Sequence, residues 1–155
     1  MFGYATNEND AYMPYPILLS HRLMKVYDEY IRQNSNKYFA DAKSQVSVEY
    51  DGNKALRVDT IVMSVSHQKG LSREEILNDM QQNVISKVLA EFSNIKSDDV
   101  KYIINPSGEF YIWGSFSDSG CVGRKIVVDT YGGVAKVVGG CFSSKNATKV
   151  DRSGE

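Results

Sequence analysis

SQVSVEYDGNKALRVDTIVMSVS, residues 44–66, reads as two strands and the turn between them. In the first strand Val46, Val48 and Tyr50 recur at every second position, which puts them on one face of an extended chain. Asp51-Gly52 follows, and residues 55–66 run back as a second, longer strand. Asp-Gly between two such runs is a strong hairpin signal, because the turns that suit twisted strand pairs need positive φ. On either side of this hairpin the period changes. From Ile17 to Gln33, residues Leu19, Leu23, Val26, Tyr27, Tyr30 and Ile31 recur at three- and four-residue steps, a helical stripe. LSREEILNDMQQNVISKVLAEF (71–92) is the clearest helix. Ser72 and Glu75 make a capping box there, and Ile76, Leu77, Met80, Val84, Val88 and Leu89 cover one face.

Further on, VKYII (100–104) and EFYIW (109–113) read as two short strands joined by Asn105-Pro-Ser-Gly108, and RKIVVDTY (124–131) as a last strand before Gly132-Gly133. The order helix, hairpin, helix, hairpin, strand predicts an α+β layer fold, with helices packed on one face of a mainly antiparallel sheet. Residues 1–15 read as a connector, 16–115 as the layer domain, and 116–155 as a strand-and-loop segment of an incomplete second domain.

At 155 residues, 42% of them hydrophobic and 24% charged, the chain has enough apolar material for a real core and is not of disordered composition. A net charge of -1 gives no global attraction for nucleic acid or an anionic membrane surface, so any basic site must be local. No apolar run is long enough to span a bilayer, and the first ten residues lack the layout of a signal peptide. Cys121 and Cys141 make no metal-ligand spacing with His21 and His67, so reduced thiols and a cytoplasmic location are expected. The histidines form no Ser/His/Asp or Cys/His arrangement that would support nucleophilic catalysis.

The local basic concentration is Arg124, Lys125, Lys145 and Lys149. Gly120 and Gly123 would let backbone approach a ligand closely, Arg124 could clamp two phosphate oxygens, and Lys125 would add a point charge. Read alone, the same residues also fit a strand edge protected by charge. The tail GGCFSSKNATKVDRS (139–153) has the same two readings: a glycine-rich loop with a magnesium-type oxygen ligand in Asp151, or a loop of ordinary solvated charges. Asp41-Ala42-Lys43 reads as a strand-entry turn, and Phe110 and Trp113 as core or interface aromatics or as platforms for a base.

Together these segments resemble the methionine adenosyltransferase (S-adenosylmethionine synthetase) family. The matching stretches are MFGYATNEND (1–10), DAKSQVSVEYD (41–51), INPSGEF (104–110), GRKIVVDTYGG (123–133) and SKNATKVDRS (144–153), in the family's order and near its spacing. The resemblance implies one repeat domain of that fold plus part of a neighbouring one. It also implies a two-step reaction in which methionine sulfur attacks C5′ of ATP, displacing triphosphate, which is then hydrolysed to phosphate and diphosphate. Magnesium and potassium are the implied cofactors, ATP and L-methionine the substrates, and a homodimer or higher oligomer the assembly. By position, Asp41 and Lys43 match an ATP-contacting pair, Phe110 the aromatic beside adenine, and Asp118 a residue touching methionine and ribose. Arg124 and Lys125 match the phosphate-binding pair, and Cys141 and Lys145 fall in the ATP loop. Lys149 matches a lysine at methionine and the phosphates, and Asp151 a magnesium ligand. Lys43, Arg124, Lys125, Lys145 and Lys149 are the implied catalytic cations.

The chain also departs from the family pattern. WGSFSD (113–118) stands where Gly-Gly-Pro-x-Gly-Asp is usual, Glu109 stands where arginine is common, and VVGGCFSSKN (137–146) replaces a His-Gly-Gly-Gly-Ala-Phe-Ser-Gly-Lys-Asp pattern. The resemblance leads us to expect that the family's His-Pro-Asp-Lys segment and its C-terminal domain have no counterpart in these residues, and that Met1 matches an internal methionine of the family. The 155 residues alone are therefore expected to be inactive. The alternative expectation is a non-catalytic truncated paralogue that serves as an assembly module for a full-length synthetase subunit.

Overall fold

The structure, a computed structural model, describes residues 2–120, 123–137, 146–149 and 153. Cys141, Lys145 and Asp151 lie outside the described residues, as do Cys121 and most of the 137–146 stretch. In chain order the elements are α1 (Tyr15–Gln33), β1 (Tyr38–Asp51), β2 (Lys54–His67), α2 (Arg73–Met80), a π-helical turn (Gln81–Ile85), α3 (Ser86–Glu91), β3 (Lys101–Ile104), a 3-10 turn (Gly114–Phe116) and α4 (Ile126–Asp129).

The hairpin is present and longer than its alternating core. Asp51 pairs with Lys54, so Gly52 is the first of two loop residues, and its φ of +58° is the conformation that the primed hairpin turns reserve for glycine. Two irregularities make Asp59 and Leu56 extra residues in β2. The first is what brings Val58 to the core side. Ile61, Met63 and Val65 alternate inward, and unbroken alternation would have turned Asp59 inward in place of Val58.

α1 and the α2–α3 unit cover one face of the sheet. Leu19, Leu23, Val26 and Tyr27 from α1, and Ile76, Met80, Val84, Ile85 and Val88 from α2–α3, join Val46, Val58, Ile61, Met63, Val65 and Ile104 in one core cluster. The capping box forms as read: Ser72 Oγ accepts from Glu75 N–H, and Glu75 Oε2 accepts from Ser72 N–H. The π turn also has a physical reason. Ile76, Met80, Val84 and Val88 are spaced by four, and in an α-helix each such step overshoots one turn by about 40°. A wider turn in the middle keeps all four buried.

The sheet has the order β1-β2-β3. β1 and β2 are antiparallel, whereas β3 joins β2 in parallel, with Thr60–Lys101 through Met63–Ile104 in register, so the sheet is mixed. The expected second hairpin does not form, since residues 109–113 are not a strand. Instead of turning back at Asn105-Pro-Ser-Gly108, the chain loops outward and continues along β2. Asn105 N–H donates to Met63 O, and the buried Asn105 amide accepts from Val65 N–H (2.8 Å) and donates to Val65 O (3.1 Å). Its φ of +45° is the left-handed conformation that asparagine tolerates better than most residues. Phe110 then takes up the next position on β2, opposite His67.

The expected strand at 124–131 is instead the short helix α4. Backbone contacts tie it to α1: Val128 O meets His21 Nε2 at 2.9 Å, and beyond the helix the Gly132 backbone lies against Ile17, while Val127 and Val128 stay exposed. Short apolar runs fit either element by pattern, so the string alone does not decide between them.

Candidate functional site

Gly114 is a corner that is hydrogen-bonded to two of the sequence-predicted residues. Its N–H donates to Asp41 Oδ2 at 2.8 Å, and its carbonyl accepts from Asp118 N–H at 3.1 Å, across the 3-10 turn. Four residues earlier Phe110 is fixed to His67 by two bonds. The Phe110 N–H donates to His67 Nε2 (3.1 Å), and Phe110 O accepts from His67 N–H (2.9 Å). Between these anchors Trp113 stacks on Phe39, with ring centroids 4.6 Å apart and planes 13° apart. The segment 110–114 is thus pinned across the start of β1 and the end of β2.

Asp41 is half-buried at that start. Its carboxylate also acts at a distance on Tyr27, whose hydroxyl donates to Phe39 O. Burial first, and the Asp41 charge second, raise the Tyr27 phenol above its ordinary range. Lys43 lies two residues along β1 on the other face of the sheet from the helices. Ser44 points inward, with Oγ donating to Ser20 O on α1, so Lys43, opposite Ser64, points out and is exposed. Asp118 is exposed.

Arg124 and Lys125 are placed elsewhere. Both are exposed at the start of α4, whose contacts are with α1 and the N-terminal segment, where Tyr131 packs edge-on against Tyr4. Among the described residues no hydrogen bond or ion pair joins this pair to Asp41, Phe110 or Asp118. Lys149 is exposed in a turn in which its N–H donates to Asn146 O and its carbonyl accepts from Ser153 N–H. The structure therefore ties Asp41 and Asp118 to Gly114 and Phe110 to His67, and among the described residues no hydrogen bond or ion pair joins Arg124, Lys125 or Lys149 to them.

The described residues offer an aromatic held at its backbone by His67 (Phe110), an outward lysine on β1 (Lys43) and an exposed carboxylate just past Gly114 (Asp118). Among the described residues no three His, Cys, Asp or Glu side chains converge as a metal site. No described helix is long and apolar enough to cross a membrane. His67 and Trp113 are the residues whose part here sequence reasoning missed. The partner of His67 is a backbone amide 43 residues away, and no motif signals it.

Residues 1–110 match the model of the S-adenosylmethionine synthetase central domain, and residues 112–155 match that of its C-terminal domain, which corrects the expectation that this domain has no counterpart here. The chain belongs to the S-adenosylmethionine synthetase family. Two curated relatives bear this out. The S-adenosylmethionine synthase of Petrotoga mobilis is 48% identical over 155 residues, covering 99% of this chain and 38% of the relative. That of Clostridium botulinum is 47% identical over 154 residues, covering 99% of this chain and 39% of the relative. The chain thus spans well under half the length of these synthases, and it straddles the junction between two of the family's domains, which falls at residues 110–112. The pinned segment 110–114 is that junction.

Proposed function

We propose that the chain is the nucleotide-holding part of an S-adenosylmethionine synthase, which forms S-adenosylmethionine from ATP and L-methionine with release of phosphate and diphosphate. The observation that carries this reading is the segment 110–114, where Phe110 is bonded to His67 and Gly114 to Asp41 and Asp118, within a chain of this family. In this reading Phe110 lies against adenine, and Asp41 keeps the approach to it in place through the Gly114 N–H. Asp118 contacts ribose and methionine. Lys43, Arg124, Lys125, Lys145 and Lys149 supply positive charge to a leaving group carrying about four negative charges, which is electrostatic preorganisation rather than proton transfer. Cys141 belongs to the ATP loop, and Lys149 also reaches methionine.

Magnesium and potassium are the cations of this proposal. Magnesium, when bound, neutralises phosphate oxygens, and Asp151 is the one residue here assigned to hold it. One carboxylate does not make a site, so the remaining ligands come from family segments that these residues do not match. The 155 residues alone are accordingly inactive, and the working unit is a homodimer or higher oligomer in the cytoplasm.

A second reading, an assembly module for a full-length synthetase subunit, is favoured by one feature. Tyr111, Ile112, Trp113 and Phe116 are all exposed, Phe116 at 91%, next to the domain junction. Titration calorimetry with ATP tests the first reading. Affinity weakened by Arg124→Ala and Lys145→Ala supports it, and affinity unchanged by both removes it. Co-purification with a full-length subunit, without any ATP binding, selects the second.

A further inference from the structure

We propose that His67 is a positioning residue for the nucleotide, holding Phe110 and the domain junction through an imidazole whose proton sits on Nδ1. This rests on the reading that Phe110 lies against adenine. Residues 110–113 have no regular secondary structure, and Tyr111, Ile112 and Trp113 are exposed, so the place of this segment depends on discrete anchors. Among the described residues there are four: the Asp41–Gly114 bond, the Phe39–Trp113 stack, the Lys69 ammonium 5.5 Å from the Tyr111 ring centroid, and the pair of hydrogen bonds between His67 and Phe110. Only the last acts on Phe110 itself, and it is also the buried one, with His67 2% exposed.

The partners fix the tautomer. Nε2 faces the Phe110 N–H, a donor, and must present its lone pair. Nδ1 faces Gln68 O at 3.0 Å, an acceptor, and must carry the proton. A proton on Nε2 would set two donors against each other and break the bond to the Phe110 N–H, leaving only the His67 N–H to hold this residue on β2. The imidazole thus does what a ladder hydrogen bond would do if residues 109–113 were a strand. It fixes the aromatic where the backbone has left the sheet.

The test uses the ¹⁵N-labelled chain as wild type, His67→Gln and His67→Leu. Glutamine can place an acceptor oxygen near the Nε2 position, and leucine cannot. Long-range ¹H–¹⁵N spectra of the wild type should show the proton on Nδ1; a proton on Nε2 overturns the proposal. The Phe110 amide should exchange about tenfold or more faster in His67→Leu, with the glutamine variant close to wild type. Equal rates in wild type and His67→Leu overturn it too. If the leucine variant does not fold, the wild-type tautomer and protection of the Phe110 amide in His67→Gln decide alone. An ATP titration followed by emission of Trp113, the single tryptophan, completes the set. Affinity should fall about tenfold in His67→Leu and recover in His67→Gln. A wild type that binds no ATP defeats the nucleotide reading, while the tautomer and exchange results still judge the clamp.

Discussion

Replacing Asn105 by alanine should be among the most damaging single changes in this chain. The Asn105 amide serves both backbone groups of Val65, which is fully buried at 0% exposure in the middle of the core. Alanine leaves that N–H and that carbonyl without a partner. A buried polar group left unpaired costs about 1–3 kcal/mol, so the two together cost about 2–6 kcal/mol. Alanine at φ +45° adds about 1–2 kcal/mol of backbone strain that asparagine partly escapes. Against a typical domain stability of about 5–15 kcal/mol, the variant should be marginal or unfolded at room temperature. Asn105→Gly separates the two contributions, because glycine removes the strain and keeps the lost bonds. It should be destabilised by about 1 kcal/mol less than Asn105→Ala. Urea unfolding followed by circular dichroism measures both. A stability of Asn105→Ala within about 1 kcal/mol of wild type would refute the claim that this side chain substitutes for strand pairing.

Ser66 is fully buried, and its hydroxyl finds no hydrogen-bond partner among the described residues, so Ser66→Ala should raise stability by about 1 kcal/mol in the same urea experiment. A loss of stability would show that the hydroxyl has a partner. A Cβ at Gly132 would come within 2.9 Å of Ile17 Cβ at a φ of +67°, so Gly132→Ala should lift α4 off α1. Amide exchange should then accelerate across 126–132 with α1 and β1 unchanged, and uniform protection would contradict this docking. The chain should lose stability in acid. Hydrogen bonds from the Ser72 backbone and hydroxyl lower Glu75, a bond from Arg22 lowers Glu91, and a bond from Thr60 lowers Asp59. Depressed folded values mean the contribution is complete above the ordinary 3.8–4.5 and is lost as pH falls through the folded values. The urea midpoint should therefore drop as pH goes from about 5 to below 3, less steeply in Glu91→Gln; a midpoint that rises on acidification contradicts the assignment.

The elements that were legible in the sequence are those whose cause is local. Val46, Val48 and Tyr50 alternate, Asp51-Gly52 turns, and Ser72 with Glu75 caps a helix, so each could be read from its own neighbours. The failures share a different cause. EFYIW alternates like a strand, but the backbone groups of Phe110 are taken by His67 and the Gly114 N–H by Asp41, both on the far side of the hairpin. IVVD is short enough to be either element, and its contact with α1 is a bond between the His21 ring and the Val128 carbonyl that no local pattern signals. Motifs carried the family and the candidate residues, because INPSGEF and GRKIVVDTYGG are distinctive as strings. They did not show that Asp41 holds backbone, nor that His67 belongs with Phe110. Those relations exist only once residues about 40 to 70 positions apart are brought together by the sheet.

The most direct test asks whether this segment can do its part inside a complete synthase. Residues 1–155 would replace the matching segment of the Petrotoga mobilis relative, and formation of S-adenosylmethionine from ATP and L-methionine would be measured with magnesium and potassium present. The chimera should make product, Arg124→Ala in the same chimera should lose most of it, and the 155 residues alone should make none. A folded chimera without activity, or product from the 155 residues alone, would contradict the proposal that this chain is the nucleotide-holding part of the enzyme.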